Sequence, residues 1–242
     1  MKKSTKIGII TLSVIGGLIL IAAGGFLIYA SDYYEADETI QDIIDSDDDI
    51  LRTDNALIFK AEATDTGVIF YPGAKVEYTA YVPLMEEIKG WGITCVLIEM
   101  PYNLAIFNSD AADQYIEDMT EISSWYIGGH SLGGAFAARY AASNTDKVDG
   151  LIMCAAYETK DISDTDLNVL SIYGSEDGVL NMDKYEDNKK NLPADYTEVI
   201  IDGGNHGYFG NYGEQDGDGT ATVTREYQQS LTSDEINTLI HE

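Results

Sequence analysis

Residues 125–142 read Trp125-Tyr126-Ile127-Gly128-Gly129-His130-Ser131-Leu132-Gly133-Gly134-Ala135-Phe136-Ala137-Ala138-Arg139-Tyr140-Ala141-Ala142. The opening Trp125-Tyr126-Ile127 has the short apolar character of a strand buried on both faces. Residues 132–142 carry Gly134, Ala135, Ala137, Ala138, Ala141 and Ala142, a small-residue pattern that predicts a closely packed helix. Between them Gly129-His130-Ser131-Leu132-Gly133 is a G-x-S-x-G pattern, and strand–turn–helix is the context it requires. So tight a turn excludes large side chains, hence the flanking glycines. It predicts Ser131 at a helix N-terminus, where the helix dipole and free N–H groups favour developing negative charge.

The surrounding chain repeats this alternation. Short β-branched runs at 56–59, 67–71, 93–98, 150–154, 169–173 and 198–201 read as further buried strands. Val82, Met85 and Ile88 recur at three-residue spacing, and Gly90 and Gly92 end that helix. Ser109 reads as the cap of a helix bearing Ala112, Tyr115, Ile116 and Met119. Thr232 and Glu235 read as the capping box of a last helix with Ile236, Leu239 and Ile240 inward. Strands alternating with helices predict an α/β fold with a mostly parallel sheet and helices on both faces.

A serine hydroxyl needs a base to take its proton. Of the three histidines, His130 adjoins Ser131 and should leave the turn in another direction, and His241 lies beside the C-terminus. His206 remains, in Gly203-Gly204-Asn205-His206-Gly207 after the last predicted strand, on a loop that can carry the ring toward Ser131. A third group must orient the imidazole and stabilise its cation. Asp177, in Gly174-Ser175-Glu176-Asp177-Gly178, sits at the C-terminal end of a strand, as Ser131 and His206 do; Glu176 is its rival. The order Ser131, Asp177, His206 matches a known solution of the triad. An oxyanion hole needs two backbone N–H donors. Leu132 supplies one, and Ala74, in Tyr71-Pro72-Gly73-Ala74-Lys75 after the 67–71 strand, is read as the other. Lys75 is either a contact for an anionic substrate or a solvated side chain.

Composition removes other classes. The 242 residues hold 14 Lys+Arg against 42 Asp+Glu, a net charge of −28, which repels phosphate and argues against nucleic acid as a partner. Two cysteines and three histidines leave little for a metal centre, so no metal or cofactor is expected. Acidic clusters at 45–49 and at Asp216-Gly217-Asp218-Gly219 evoke calcium loops but lack the spacing. The Gly-, Tyr- and Asp-rich residues 208–224 read either as part of the site's mouth or as a plain surface loop.

Residues 7–30 are 24 consecutive residues without a charge, preceded by Lys2, Lys3 and Lys6. That length exceeds the about 20 residues needed to cross a bilayer. The basic flank predicts a single-pass anchor with a cytoplasmic N-terminus at 1–6 and the remainder outside the cell. A cleaved signal peptide is the rival reading, but its apolar region is usually about 7–15 residues long. The predicted organisation is a transmembrane helix at 7–30, a juxtamembrane tether at 31–49 and one catalytic domain at 50–242.

Over roughly residues 50–242 the chain resembles the α/β-hydrolase family, through YPGAKV, GHSLGG, GSEDG and GGNHG in that order. It looks closest to the small dienelactone-hydrolase-like branch, including membrane-anchored bacterial members. The resemblance implies a sheet of eight strands or slightly fewer, a Ser-His-acid triad and ester or related acyl hydrolysis. Dienelactone hydrolases themselves usually carry cysteine where Ser131 stands, which separates this chain from their substrates. Only about ten residues, 158–167, separate the two strands between which relatives insert a lid, so a minimal lid and an open site are expected. The family's strand order also puts two strands between Cys95 and Cys154, about 14 Å, too far for a disulfide. The leading reading is therefore a serine carboxylesterase acting on a small-molecule acyl substrate. An acyltransferase with the same triad and a non-catalytic surface module are the alternatives.

Overall fold

The computed structural model describes residues 3–47, 49–62 and 64–241, with side chains from residue 15 onward. It divides into two units, residues 1–33 and 34–242. The first contains helix α1 (Lys3–Ser31). Among the described residues, no helix is long and apolar enough to cross a membrane. Positions 7–14, the first third of the predicted span, lie outside the described side chains.

The second unit is built on one eight-stranded sheet ordered β1-β2-β4-β3-β5-β6-β7-β8. Its strands are β1 (Ile50–Arg52), β2 (Ala56–Phe59), β3 (Thr66–Tyr71), β4 (Thr94–Ile98), β5 (Ser124–His130), β6 (Gly150–Cys154), β7 (Asn168–Gly174) and β8 (Thr197–Ile201). β1 pairs antiparallel with β2 and β2 antiparallel with β4; every later pairing is parallel. The antiparallel edge explains why β1 escapes a search for apolar runs: its side chains are half-buried or exposed.

The central strands lack alternation because both faces are covered. Along β3, Val68 and Phe70 enter one core layer and Ile69 and Tyr71 the other. Each such buried side chain contributes roughly 1.5–3 kcal/mol of apolar burial. Helices α3 (Val82–Gly90) and α7 (Arg225–His241) pack together on one side, whereas α5 (Leu132–Ala141) lies against β5 and β6. Helix α2 (Thr39–Ser46) buries Ile40 and Ile44 in the same core as α3, so from residue 34 on the stretch expected as a tether belongs to the folded unit.

Two capping expectations are corrected. Helix α4 (Ala112–Asp118) begins after Ala111, and the Ser109 hydroxyl bonds Asp110 instead of capping. Thr232 lies in the middle of α7, which starts seven residues earlier, and its hydroxyl donates to the Gln228 carbonyl at 2.7 Å. A threonine bonded back to the preceding turn looks like a cap in sequence, because both uses need one hydroxyl near one turn of helix. Short α6 (Met182–Asn188), capped by Asn181 accepting from the Lys184 N–H, was not anticipated; it is polar apart from Met182 and Tyr185.

Candidate active site

The parallel strands deliver their C-terminal ends to one edge, where open α/β sheets place ligands. β5 ends at His130, and the chain turns through Ser131 into α5. Ser131 has φ 53° and ψ −121°, a left-handed conformation that costs a non-glycine residue of order 1–3 kcal/mol. Its N–H donates to the Cys154 carbonyl at 2.9 Å and its carbonyl accepts from Ala135 at 3.0 Å, so bonds on both sides hold the turn. The flanking glycines permit the close approach. A Cβ on Gly133 would lie 2.1 Å from the Pro72 carbonyl oxygen, and one on Gly129 2.6 Å from that of Tyr71. The loop after β3 therefore abuts the N-terminus of α5.

β7 leads into the loop that carries Asp177 and β8 into the loop that carries His206. His206 Nδ1 and Asp177 Oδ2 are 2.8 Å apart, and both side chains are about 1% exposed. The other Asp177 oxygen accepts from the N–H groups of Val179 and Leu180, each at 2.8 Å. Glu176, the rival carboxylate, instead bonds the exposed Ser175 hydroxyl at 3.2 Å. His206 Nε2 is buried and has no hydrogen-bond partner among the described residues. The bond from Ser131 expected there is not formed, but both residues line one cavity of about 230 Å³. In hydrolytic sites such contacts tighten once substrate is bound.

The rest of that cavity is mainly apolar, with Leu132, Ala135, Ala155, Ala156 and Leu180 in its wall. Ala155 is a second left-handed residue, at φ 51°, and Lys75 beside Ala74 is a third, at φ 57°. Strain of this kind concentrates where a site fixes its backbone. Among the described residues, neither the Leu132 nor the Ala74 N–H donates to a protein acceptor, whereas Gly73 N–H is occupied by the Tyr81 hydroxyl at 3.0 Å.

His130 plays a part that the sequence did not reveal. It is the last residue of β5 and is 1% exposed. Its Nδ1 is 2.8 Å from the Tyr81 hydroxyl, and its ring centroid is 4.5 Å from that of His206. Burial first, and then the neighbouring His206, hold its imidazole well below the ordinary histidine range, so it is neutral. A polar chain thus runs from the Gly73 amide through Tyr81 to His130, beside the His206 ring. Gln228, fully buried on α7, braces the loop that carries His206. Its Oε1 accepts from the Asn205 N–H at 3.0 Å and its Nε2 donates to the Asn205 carbonyl at 2.8 Å. No motif marks Gln228; only the packing of α7 brings it there. Phe209, expected at the mouth or on the surface, is fully buried 5.4 Å from the His130 ring.

Cys95 on β4 and Cys154 on β6 are both buried and free, and burial pushes their thiols well above the usual range. Among the described residues, no cluster of His, Cys, Asp or Glu could hold a metal. In the 45–49 run, Asp47 pairs with Lys89 at 2.9 Å, and Asp48 lies outside the described residues.

Several solved structures share the fold. Est1E from Butyrivibrio proteoclasticus matches with TM-score 0.59 and 15% identity, over 80% of this chain and 98% of that one. Dienelactone hydrolase from Anabaena variabilis matches with TM-score 0.57 and 15% identity, over 76% and 89%. A monoacylglycerol lipase from Paleococcus ferrophilus matches with TM-score 0.56 and 14% identity, over 72% and 94%. No curated protein matches in sequence. The family model described as "Alpha/beta hydrolase family" matches residues 67–230, a stretch that holds β3 through the first turns of α7 and all five predicted site residues. By that match and by its sheet order, the chain belongs to the alpha/beta hydrolase family.

Proposed function

We propose that the protein is a serine carboxylesterase that cleaves small or medium acyl esters through an acyl-enzyme on Ser131. The observation that carries this reading is the buried Asp177–His206 pair, whose free Nε2 borders the same cavity as the strained Ser131 turn. Ser131 Oγ attacks the ester carbonyl while His206 Nε2 accepts its proton. Asp177 keeps the ring proton on Nδ1 and stabilises the imidazolium. The oxyanion is held by the N–H groups of Leu132 and Ala74, both without an acceptor among the described residues. His206 then returns the proton to the leaving alcohol, and water repeats the cycle to free Ser131. These steps need no cofactor. The likeness to an esterase, a lipase and a dienelactone hydrolase supports ester substrates as a class, and the small-residue cavity wall supports modest acyl groups.

The same reading makes residues 7–30 a membrane anchor, with residues 1–6 in the cytoplasm and the hydrolase unit outside the cell. The uncharged run and its lysine flank support it. Protease added to intact cells should then digest the hydrolase unit, and carbonate washing should leave the chain in the membrane.

The deciding experiment is a panel of p-nitrophenyl esters of increasing acyl length, given to the full-length protein and to Ser131→Ala. Turnover in the parent and none in the variant is expected; equal turnover in both ends the assignment. Adding acceptor alcohols and analysing products separates hydrolysis from acyl transfer. Failure of a fluorophosphonate to label Ser131 in folded protein would favour a non-catalytic module.

A further inference from the structure

The segment Asp216-Gly217-Asp218-Gly219 forms a turn laid against the site. Asp218 Oδ1 accepts from the N–H of Gly178 at 3.1 Å, of His206 at 3.1 Å and of Gly219 at 2.8 Å. Its Oδ2 accepts from the N–H of Gly207 at 2.8 Å. Gly178 directly follows Asp177, and Gly207 directly follows His206. One carboxylate thus receives donors from both the acid-bearing and the base-bearing loops. The turn is pressed on the acid loop backbone to backbone. A Cβ on Gly219 would lie 1.9 Å from the Glu176 carbonyl oxygen, and one on Gly178 2.5 Å from that of Gly217. Asn205 Nδ2 adds a bond to the Gly219 carbonyl at 2.9 Å.

We propose that Asp218 is a positioning residue of this site: its carboxylate ties the two loops together and thereby fixes the contact between Asp177 and His206. Hydrogen bonds to a charged acceptor are about twice as strong as neutral ones, and four converge here. Two of the four hold the His206 and Gly207 N–H groups while Gln228 holds the adjacent Asn205, so the base-bearing loop has two separate anchors. The Asp218 lone pairs are directed at N–H donors, which accounts for an aspartate at this position of the turn. The catalytic consequence rests on the proposed hydrolase function; the tie itself does not.

Asp218→Asn keeps the shape and removes the charge. Its amide has one acceptor oxygen, so at least one of the four N–H groups would face an amide nitrogen instead. A loss of positioning on the scale of 1 Å costs about 100-fold in rate. The variant should therefore lose about 10- to 100-fold in kcat with KM changed less than about threefold. In proton NMR, the far-downfield resonance of the proton shared by His206 Nδ1 and Asp177 should shift or broaden. Asp113→Asn serves as a control for stability alone. Asp113 accepts from the Tyr140 hydroxyl at 2.6 Å on α4 and does not line the cavity. It should lose stability without moving either readout. A folded Asp218→Asn protein with an unchanged resonance and kcat within twofold of the parent overturns the proposal. If the parent hydrolyses no ester, the hydrolase reading fails while the resonance still decides the role of Asp218. If the variant does not fold, hydrogen exchange of the parent decides: slow exchange at the Gly178, His206 and Gly207 amides supports the tie, and free exchange refutes it.

Discussion

Asp177→Asn is the sharpest perturbation the site offers, because the structure dictates which way the new amide must face. In the parent, one carboxylate oxygen accepts from the Val179 and Leu180 N–H groups, and the other meets His206 Nδ1 at 2.8 Å. An asparagine keeps its oxygen on the two backbone donors and turns its NH₂ toward His206. Nδ1 must then accept, so the ring proton moves to Nε2. A protonated Nε2 cannot take the Ser131 proton, although the geometry is nearly unchanged. In a serine protease the equivalent change of tautomer costs about 10⁴ in kcat. At about 1.36 kcal/mol per tenfold, that is about 5 kcal/mol of transition-state stabilisation. The measurement is steady-state hydrolysis of a p-nitrophenyl ester at neutral pH, with thermal melting to verify folding. Folded Asp177→Asn with kcat within tenfold of the parent would refute the assignment of Asp177 as the orienting group. Asp177→Ala tests something else, since it removes the acceptor of the Val179 and Leu180 N–H groups, the second of them half-buried, and should also cost stability.

Two further predictions rest on packing and on burial. Gly133→Ala places a methyl 2.1 Å from the Pro72 carbonyl oxygen and should lower stability by about 3 kcal/mol or more, read as a fall in denaturation midpoint; an unchanged midpoint would refute that fit. His130 is held neutral below its ordinary value of 6.5, so below that pH the unfolded chain takes up a proton that the folded one does not. Its contribution to stability is thus intact above about pH 6.5 and is lost as pH falls, by up to about 1.4 kcal/mol per pH unit. In urea unfolding at pH 7 and pH 5, His130→Gln should show a smaller loss than the parent, and an equal loss would contradict the burial argument.

The elements legible in the sequence are those whose own residues carry the reason for their structure. β3 through β7 are covered on both faces, whereas β8, at the far edge, buries only Ile201 and is marked by its run Val199-Ile200-Ile201; seven apolar runs identify β2 through β8 to within a few residues. β1 is an exposed edge strand, and α6 is held by Asn181 and by Tyr185 packing, so neither leaves an apolar period to read. The start of α7 is hidden for a different reason. Its first turns bury Gln228 and Gln229, polar residues whose inward direction is set by partners at Asn205 and Asn211. A hydrophobic pattern cannot report a buried amide, so the helix seemed to begin at Thr232.

The same distinction separates the parts of the site. Ser131, Asp177 and His206 each lie among glycines, because each occupies a sharp turn at a strand end, and glycine is the trace such a turn leaves in sequence. The residues that hold them do so through partners far along the chain. Gln228 reaches back 23 positions to Asn205, and Asp218 reaches back 40 to Gly178. Any short polar residue can be read into such a role until the fold closes, which is why Asp218 resembled a fragment of a calcium loop. The consequence is practical. Chains that share the glycine-flanked serine, aspartate and histidine can still differ in the residues that set their relative positions. Solved structures at 14–15% identity therefore share the fold with this chain, while rates and selectivity depend on contacts such as these, which must be read from each structure.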